Sequence, residues 1–292
     1  MRPGQPTDSE NREEAYLKTC KGKGKPVAVY NKPVFGTTEW AASNVNIIKG
    51  CSNDCKYCFS KEMAIRFKRK TPYNWKQEEV NWEAYNRIIK YRDGYIMFPS
   101  THDITPDHLD LAIDFLKKLL SVGNKVLIVS KPSFHCIKQI CDTFTEYKDQ
   151  ILFRFTIGSC SSKTLRFWEP NAPDYNERKQ ALVYAFEAGY QTSISCEPML
   201  DDKINKVIDD LSQYVTDAIW LGKMNFAIRR LRTNGQLNDE TKAAAEQLLE
   251  WQSDKNITVL YNRYKDNPQI KWKESIKKVV GIEVSTIKGE DK

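Results

Sequence analysis

Gly50-Cys51-Ser52-Asn53-Asp54-Cys55-Lys56-Tyr57-Cys58-Phe59 is the stretch on which fold and chemistry both turn. Its cysteines follow a C-x3-C-x2-C spacing, so three thiolates share one tight loop. Such a set can ligate three irons of a cubane and leave the fourth iron without a protein ligand. A small molecule bearing an amine and a carboxylate can chelate that open iron. Zinc is the competing reading, but a closed structural zinc site needs four ligands, commonly supplied as two separated pairs. The only histidines are His102, His108 and His135, and no partner C-x2-C pair follows the triad. The ligand count favours a cluster.

Outward from the loop, short apolar or β-branched runs at 44–48, 94–98, 125–129, 151–157, 191–195 and 217–221 read as strands. The triad directly follows the first of them. Helical patterns fill the intervals. In 106–122, Pro106 takes a first-turn position and Ala112, Phe115, Leu116, Leu119 and Leu120 recur at helix spacing. The segment 174–188 opens with Asp174 and Glu177 in a capping-box arrangement, repeats Leu182, Ala185 and Phe186, and stops at Gly189. Strand and helix in alternation predict an α/β fold with a parallel sheet. Beyond the last of these strands the pattern predicts a helix near 239–252, an apolar run at 257–260 and a final helix near 270–280. The Trp-rich stretch 73–91 reads as an elaboration of the first crossover, with Trp75 and Trp82 as packing anchors.

The chain has 292 residues, 40% apolar and 28% charged, a balance suited to a folded enzyme rather than a disordered segment. No stretch approaches the apolar length of a membrane span, and the start is polar with no h-region, so the expected location is cytoplasmic, with no membrane partner. In a reducing compartment eight cysteines are thiols or metal ligands rather than a disulfide framework. Cys20, Cys136 and Cys141 read as structural. The net charge of +7 is concentrated in runs at 61–70, 229–232 and 271–278, which are either solvated helix faces or a phosphate-contacting surface.

The cysteine loop after a first strand, with aromatic Tyr57 before its last cysteine, resembles the radical S-adenosylmethionine (radical SAM) superfamily. The likeness narrows to the spore photoproduct lyase-like family. It is carried by Asn46-Ile47-Ile48-Lys49-Gly50-Cys51, by Ser100-Thr101-His102-Asp103-Ile104, by Val129-Ser130-Lys131, and by Glu169-Pro170-Asn171-Ala172-Pro173 through Arg178. The resemblance implies a partial (β/α)6 TIM-like barrel over 44–225, with an N-terminal arm at 1–43 and a C-terminal α/β extension at 226–292. It implies a [4Fe-4S] cluster on Cys51, Cys55 and Cys58 that cleaves S-adenosylmethionine reductively to a 5′-deoxyadenosyl radical. Asp103 and Lys131 would contact the methionine moiety, Lys131 through its carboxylate. Tyr57, Phe59 and Thr156 would join the cofactor-binding set, and Leu221 and Gly222 would lie by the adenine. These positions fall on the cluster loop or near the C-terminal ends of strands, where α/β barrels place their sites.

The chain departs from the family at Ser100. Spore photoproduct lyases carry a hydrogen-donor cysteine in this loop, and a serine O–H bond is far too strong for that role. Cys160 and Cys196, just beyond the fourth and fifth strands, are the alternative hydrogen-donor candidates. The expected substrate is nucleic acid or a nucleotide, with an electron donor such as flavodoxin or ferredoxin. Two other readings stay open: radical modification of a peptide or small metabolite, and a non-catalytic nucleic-acid-binding module with a metal.

Overall fold

The computed structural model describes residues 33–290. Cys20 and most of the expected N-terminal arm lie outside the described residues. From residue 33 onward the chain forms a compact unit.

Seven strands form a sheet in the order β1-β4-β5-β6-β7-β8-β9, every pair parallel. They are β1 Ser43–Asn44, β4 Tyr95–Met97, β5 Lys125–Ser130, β6 Ile151–Thr156, β7 Gln191–Cys196, β8 Ile219–Leu221 and β9 Ile270–Trp272. The strand expected at 44–48 is split. After β1, Asn46 turns its side chain onto the next crossover, where Oδ1 accepts from the Ser100 and Thr101 amides at 2.7 and 2.9 Å. These bonds end the ladder, and the chain continues as β2 (Ile48–Lys49), which pairs antiparallel with β3 (Glu79–Val80). The cysteine loop therefore leaves from a small ribbon beside the main sheet.

Helices cover the outer face: α1 Phe59–Arg66, α2 Trp82–Tyr85, α3 Leu109–Leu120, α4 Phe134–Thr143, α5 Ser162–Trp168, α6 Tyr175–Glu187, α7 Ile204–Leu211, α8 Ala227–Thr233, α9 Asp239–Trp251, α10 Asp254–Tyr264 and α11 Glu274–Val280. The anticipated stripe of α3, Phe115, Leu116, Leu119 and Leu120, is buried against Ile96, Val126 and Ile128. Asp174 caps α6 by accepting from the Glu177 amide at 3.0 Å. Cys136 and Cys141 pack inside this layer, and burial raises their thiol pKa values to about 11 and about 12.

The opposite face is smaller and more polar. Met97, Leu127, Leu152 and Trp220 pack around Trp40. Arg154, two residues beyond Leu152 on the same face, lies 5.0 and 5.1 Å from the rings of Trp40 and Trp220 and pairs with Asp217 at 2.7 Å. This knot closes the lower part of the inner face and leaves the C-terminal strand ends for chemistry.

Two further expectations change, and one is completed. Residues 270–272 are a strand; only 274–280 of the expected final helix is helical. The apolar run 257–260 lies within α10. Trp75 is buried as anticipated, but Trp82 is exposed and packs edge-on to Tyr85 rather than anchoring a core.

Candidate active site

The cysteine loop is shaped by its backbone. Gly50 stands at φ +99°, and a Cβ there would lie 2.6 Å from the Trp75 carbonyl oxygen and 2.7 Å from that of Gln77, so only glycine fits. The Cys51 amide donates to Trp75 O at 3.1 Å, the Ser52 amide to Glu78 Oε1 at 2.7 Å and the Lys56 amide to Trp168 O at 2.9 Å. Asp54, also left-handed at φ +43°, forms a 2.7 Å ion pair with Lys61, whose side chain is fully enclosed. Asn234, after α8, donates to the carbonyls of Lys56 and Cys58 at 3.0 Å each. The loop is thus held at fixed points by elements distant in sequence.

All three thiols are free; Cys51 and Cys55 are buried and Cys58 half-buried. Burial raises all three thiol pKa values, while Lys131 pulls those of Cys55 and Cys58 back. Cys58 also caps α1, its sulfur accepting the Lys61 amide at 3.3 Å. Among the described residues, no group of three or more His, Cys, Asp or Glu side chains converges as ligands of a single ion. A cubane places a different demand on the site, one thiolate per iron, and three thiols on one shielded loop beside a buried cation fit it. Cluster loading displaces the thiol protons.

Asp103 and Lys131 meet at this loop. The Asp103 carboxylate accepts from Asn53 at 2.8 Å, Ser130 Oγ at 3.0 Å and the Lys131 amide at 2.7 Å, and lies 3.8 Å from Cys51 Sγ. Burial works to raise its pKa, but the Lys131 charge and these donors prevail and lower it. Asp103 does not cap the helical turn that follows, which begins at Pro106 after Thr105. Lys131 Nζ lies 3.9 Å from Asp103 and 4.0 Å from Glu169. Burial works to lower the Lys131 pKa, yet Cys55, Asp103, Tyr57 and Glu169 together raise it well above its ordinary value.

Glu169 is the hub that the pattern of the sequence does not reveal. Fully buried, it takes a hydrogen bond from Tyr57 OH and an ion pair from Arg178 at 2.6 Å, besides facing Lys131. Arg178 also donates to the carbonyl oxygens of Thr156 and Pro173 at 3.0 and 2.8 Å. Tyr57, Glu169 and Arg178 therefore link the cysteine loop to the end of β6. His102, likewise unanticipated, accepts the Ile48 amide at Nε2 and meets the Asp103 carbonyl at Nδ1; burial lowers its pKa.

The remaining sequence candidates are spread more widely. Thr156 ends β6, and Leu221 ends β8 fully buried. At Gly222 a Cβ would press 2.8 Å from Glu197 Cγ and 3.1 Å from Lys273 Cγ, so glycine lets these two side chains pack against the strand end. Phe59 is the first residue of α1 and is exposed. A cleft of about 460 Å³ takes in Asn53, Thr105, Lys131 and Asn171, but not Thr156, Leu221 or Gly222. Cys160 is partly exposed, whereas Cys196 is enclosed in the core and burial pushes its thiol well up. Ser100 Oγ accepts from Asn46 at 2.9 Å.

Residues 45–211, more than half the chain, match the radical SAM superfamily. Spore photoproduct lyase complexed with dinucleoside spore photoproduct is a structural neighbour with a TM-score of 0.52 and 14% identity, covering 84% of this chain and 80% of that one. SuiB of Streptococcus suis bound to S-adenosylmethionine gives a TM-score of 0.50 at 13% identity, covering 85% and 54%. At these identities the likeness is one of fold, the partial barrel of radical SAM enzymes. The uncharacterized protein ORF301 of Acidianus two-tailed virus is 26% identical over 187 residues, 60% of this chain and 60% of that protein's length. Family match and shielded triad agree: the chain belongs to the radical SAM superfamily, whose cofactors are a [4Fe-4S] cluster and S-adenosylmethionine.

Proposed function

We propose that this enzyme directs its radical at a nucleic acid or nucleotide, in repair or modification. When bound, the cluster and S-adenosylmethionine supply the 5′-deoxyadenosyl radical that abstracts hydrogen from substrate. Cys51, Cys55 and Cys58 are the cluster ligands. Lys131, kept protonated by its acidic neighbours, offers a cation to the methionine carboxylate, and Asp103 fixes Lys131 and the cysteine loop together. Tyr57 and Phe59 flank the cofactor from the loop. Thr156, Leu221 and Gly222 border it from the strand ends. Cys160 and Cys196 are the hydrogen-donor candidates, Cys160 the more accessible. Flavodoxin or ferredoxin would deliver the electron, in the cytoplasm.

The observation that carries the site assignment is Asp103, whose carboxylate meets Cys51 Sγ at 3.8 Å and Lys131 Nζ at 3.9 Å. The substrate class draws support from the excess of positive charge and from a fold neighbour that binds a dinucleoside lesion. Anaerobic reconstitution followed by reduction with S-adenosylmethionine is expected to yield 5′-deoxyadenosine. Cys55→Ala should abolish it, and a variant that still formed it would refute the ligand assignment. Lys131→Met should raise the apparent KM for S-adenosylmethionine about tenfold or more, since a buried charge-assisted contact is lost; an unchanged KM would remove Lys131 from the cofactor site.

A further inference from the structure

On α1, one turn after Cys58, the Glu62 carboxylate is fully enclosed among arginines. Arg229 Nε lies 2.9 Å from it, Arg230 Nε 3.6 Å and Arg66 4.0 Å. One carboxylate for three guanidinium groups leaves this patch with surplus positive charge, and Arg66 and Arg229 remain 57% and 44% exposed. Aromatic rings are interleaved with them. Arg229 lies 4.1 Å from the ring centroid of Phe226, and Arg230 5.2 Å from that of Phe59. Both rings are more than half exposed.

Phe226 also holds a left-handed backbone, φ +56° and ψ +35°, a conformation unfavourable for a bulky side chain and of the strained kind that clusters at functional sites. The patch is fixed relative to the chemistry, because Asn234 at the end of α8 is bonded to the Lys56 and Cys58 carbonyls. Arg230 lies close enough to Glu197 and Cys58 to feel their charges. A merely solvated helix face needs neither exposed rings under its arginines nor a phenylalanine in a glycine conformation.

We propose that Arg66 and Arg229, backed by the largely buried Arg230 and set beside the Phe59 and Phe226 rings, form a docking surface for a single-stranded polynucleotide beside the cysteine loop. Guanidinium groups take the phosphates and the Phe226 ring takes the face of a base. The pairing suits a strand because each nucleotide offers both an anion and a π-face, and stacking on an exposed ring accepts any base. The inference rests on the nucleic-acid reading above and gives it a location.

The test is fluorescence anisotropy of anaerobically reconstituted full-length protein with a labelled strand of about twelve nucleotides, as DNA, as RNA and as duplex. Phe226→Gly removes the ring while suiting the backbone. It should weaken single-strand binding roughly tenfold. Arg229→Gln should reduce the slope of log affinity against log salt by about 0.7, the contribution of one phosphate contact on a single strand. Lys138→Gln, a loss of one charge on α4, should change neither, and melting temperature and iron content verify that each variant is folded and loaded. If wild type binds while Phe226→Gly and Arg229→Gln bind equally well, the docking surface is refuted and the substrate reading survives. If loaded wild type binds no oligonucleotide, both are refuted. If an acidic peptide binds instead and the two variants lose it, the partner is a polypeptide. The DNA and RNA arms distinguish the two sources of the same phosphate and base chemistry.

Discussion

Gly50 shows how much a single position can hold in place. Its positive φ and its approach to the Trp75 and Gln77 carbonyls leave no room for a side chain. Gly50→Ala must either strain the backbone or displace the Trp75 and Gln77 carbonyls ahead of β3, at a cost of about 2 kcal/mol or more. Urea denaturation of the apo chain should show an earlier midpoint; an unshifted midpoint would mean the loop can relax. Glu169→Gln tests the hub, because replacing the charge leaves Arg178 buried without a counter-ion and removes a partner of Lys131. A loss of about 3 kcal/mol is expected in the same measurement. At this scale the triad was legible because its spacing is local, and Asp103 and Lys131 were legible from their motifs after strands. Glu169 stood in a stretch that carries the family likeness, but with no role attached to it. Its partners Tyr57, Lys131 and Arg178 come from three separate segments, and no periodicity announces such a meeting. Glu62 went unread for the same reason, since two of its three arginines, Arg229 and Arg230, come from a helix far downstream.

Between elements, α6 and α7 are joined by Asp210, which accepts from Lys179 at 2.6 Å and from Tyr175 OH at 2.5 Å. The Lys179 hydrogen bond first, and the Tyr175 bond second, lower its carboxyl pKa. A carboxylate with a depressed folded-state pKa adds stability that is fully present above its unfolded value, about 3.9, and is lost as pH falls through the folded value. Asp210→Asn should therefore lower the melting temperature near neutral pH, and the gap from wild type should close as pH falls below the ordinary carboxylate range and through the depressed folded value. A gap independent of pH would assign the effect to packing. The pair is partly solvent-exposed, so the shift should be small. Helices α3 and α6 were legible because each carries a cap or first-turn signal and an apolar stripe. Strand β9 was not. Ile270-Lys271-Trp272-Lys273 alternates with period two over a span too short to outweigh the helical pattern that follows it. Asn46 split the first strand through side-chain bonds to a distant loop, which local propensity does not register.

Across the whole molecule, Lys273 ties both ends of the described chain to the inner face of the sheet. It follows β9, and its ammonium sits 2.8 Å from Glu39 Oε1, 3.4 Å from Glu197 Oε2 and 2.8 Å from the Gly36 carbonyl oxygen, 4.0 Å from the centroid of the Trp40 ring. Glu39 belongs to the segment before β1, and Glu197 follows β7 directly after Cys196. The three partners are not equivalent. Burial raises the Glu39 carboxyl pKa and outweighs the Lys273 charge, so this carboxylate is held at a net cost in desolvation. Lys273 is the group whose loss exposes that cost. Lys273→Met keeps the volume but leaves Glu39 enclosed and Glu197 partly enclosed without their cation, which should destabilise the fold by about 3–5 kcal/mol. Glu39→Gln leaves Lys273 its bonds to Glu197 and Gly36 and removes an expensive charge, so it should cost about 1 kcal/mol or less. In the double variant the Glu39→Gln change should recover part of the Lys273→Met loss, a coupling that a double-mutant cycle in urea reads directly. Equal losses from the two single variants, with simple additivity in the double, would show that the ammonium and the carboxylate act independently and that β9 is held by its ladder to β8 and by packing.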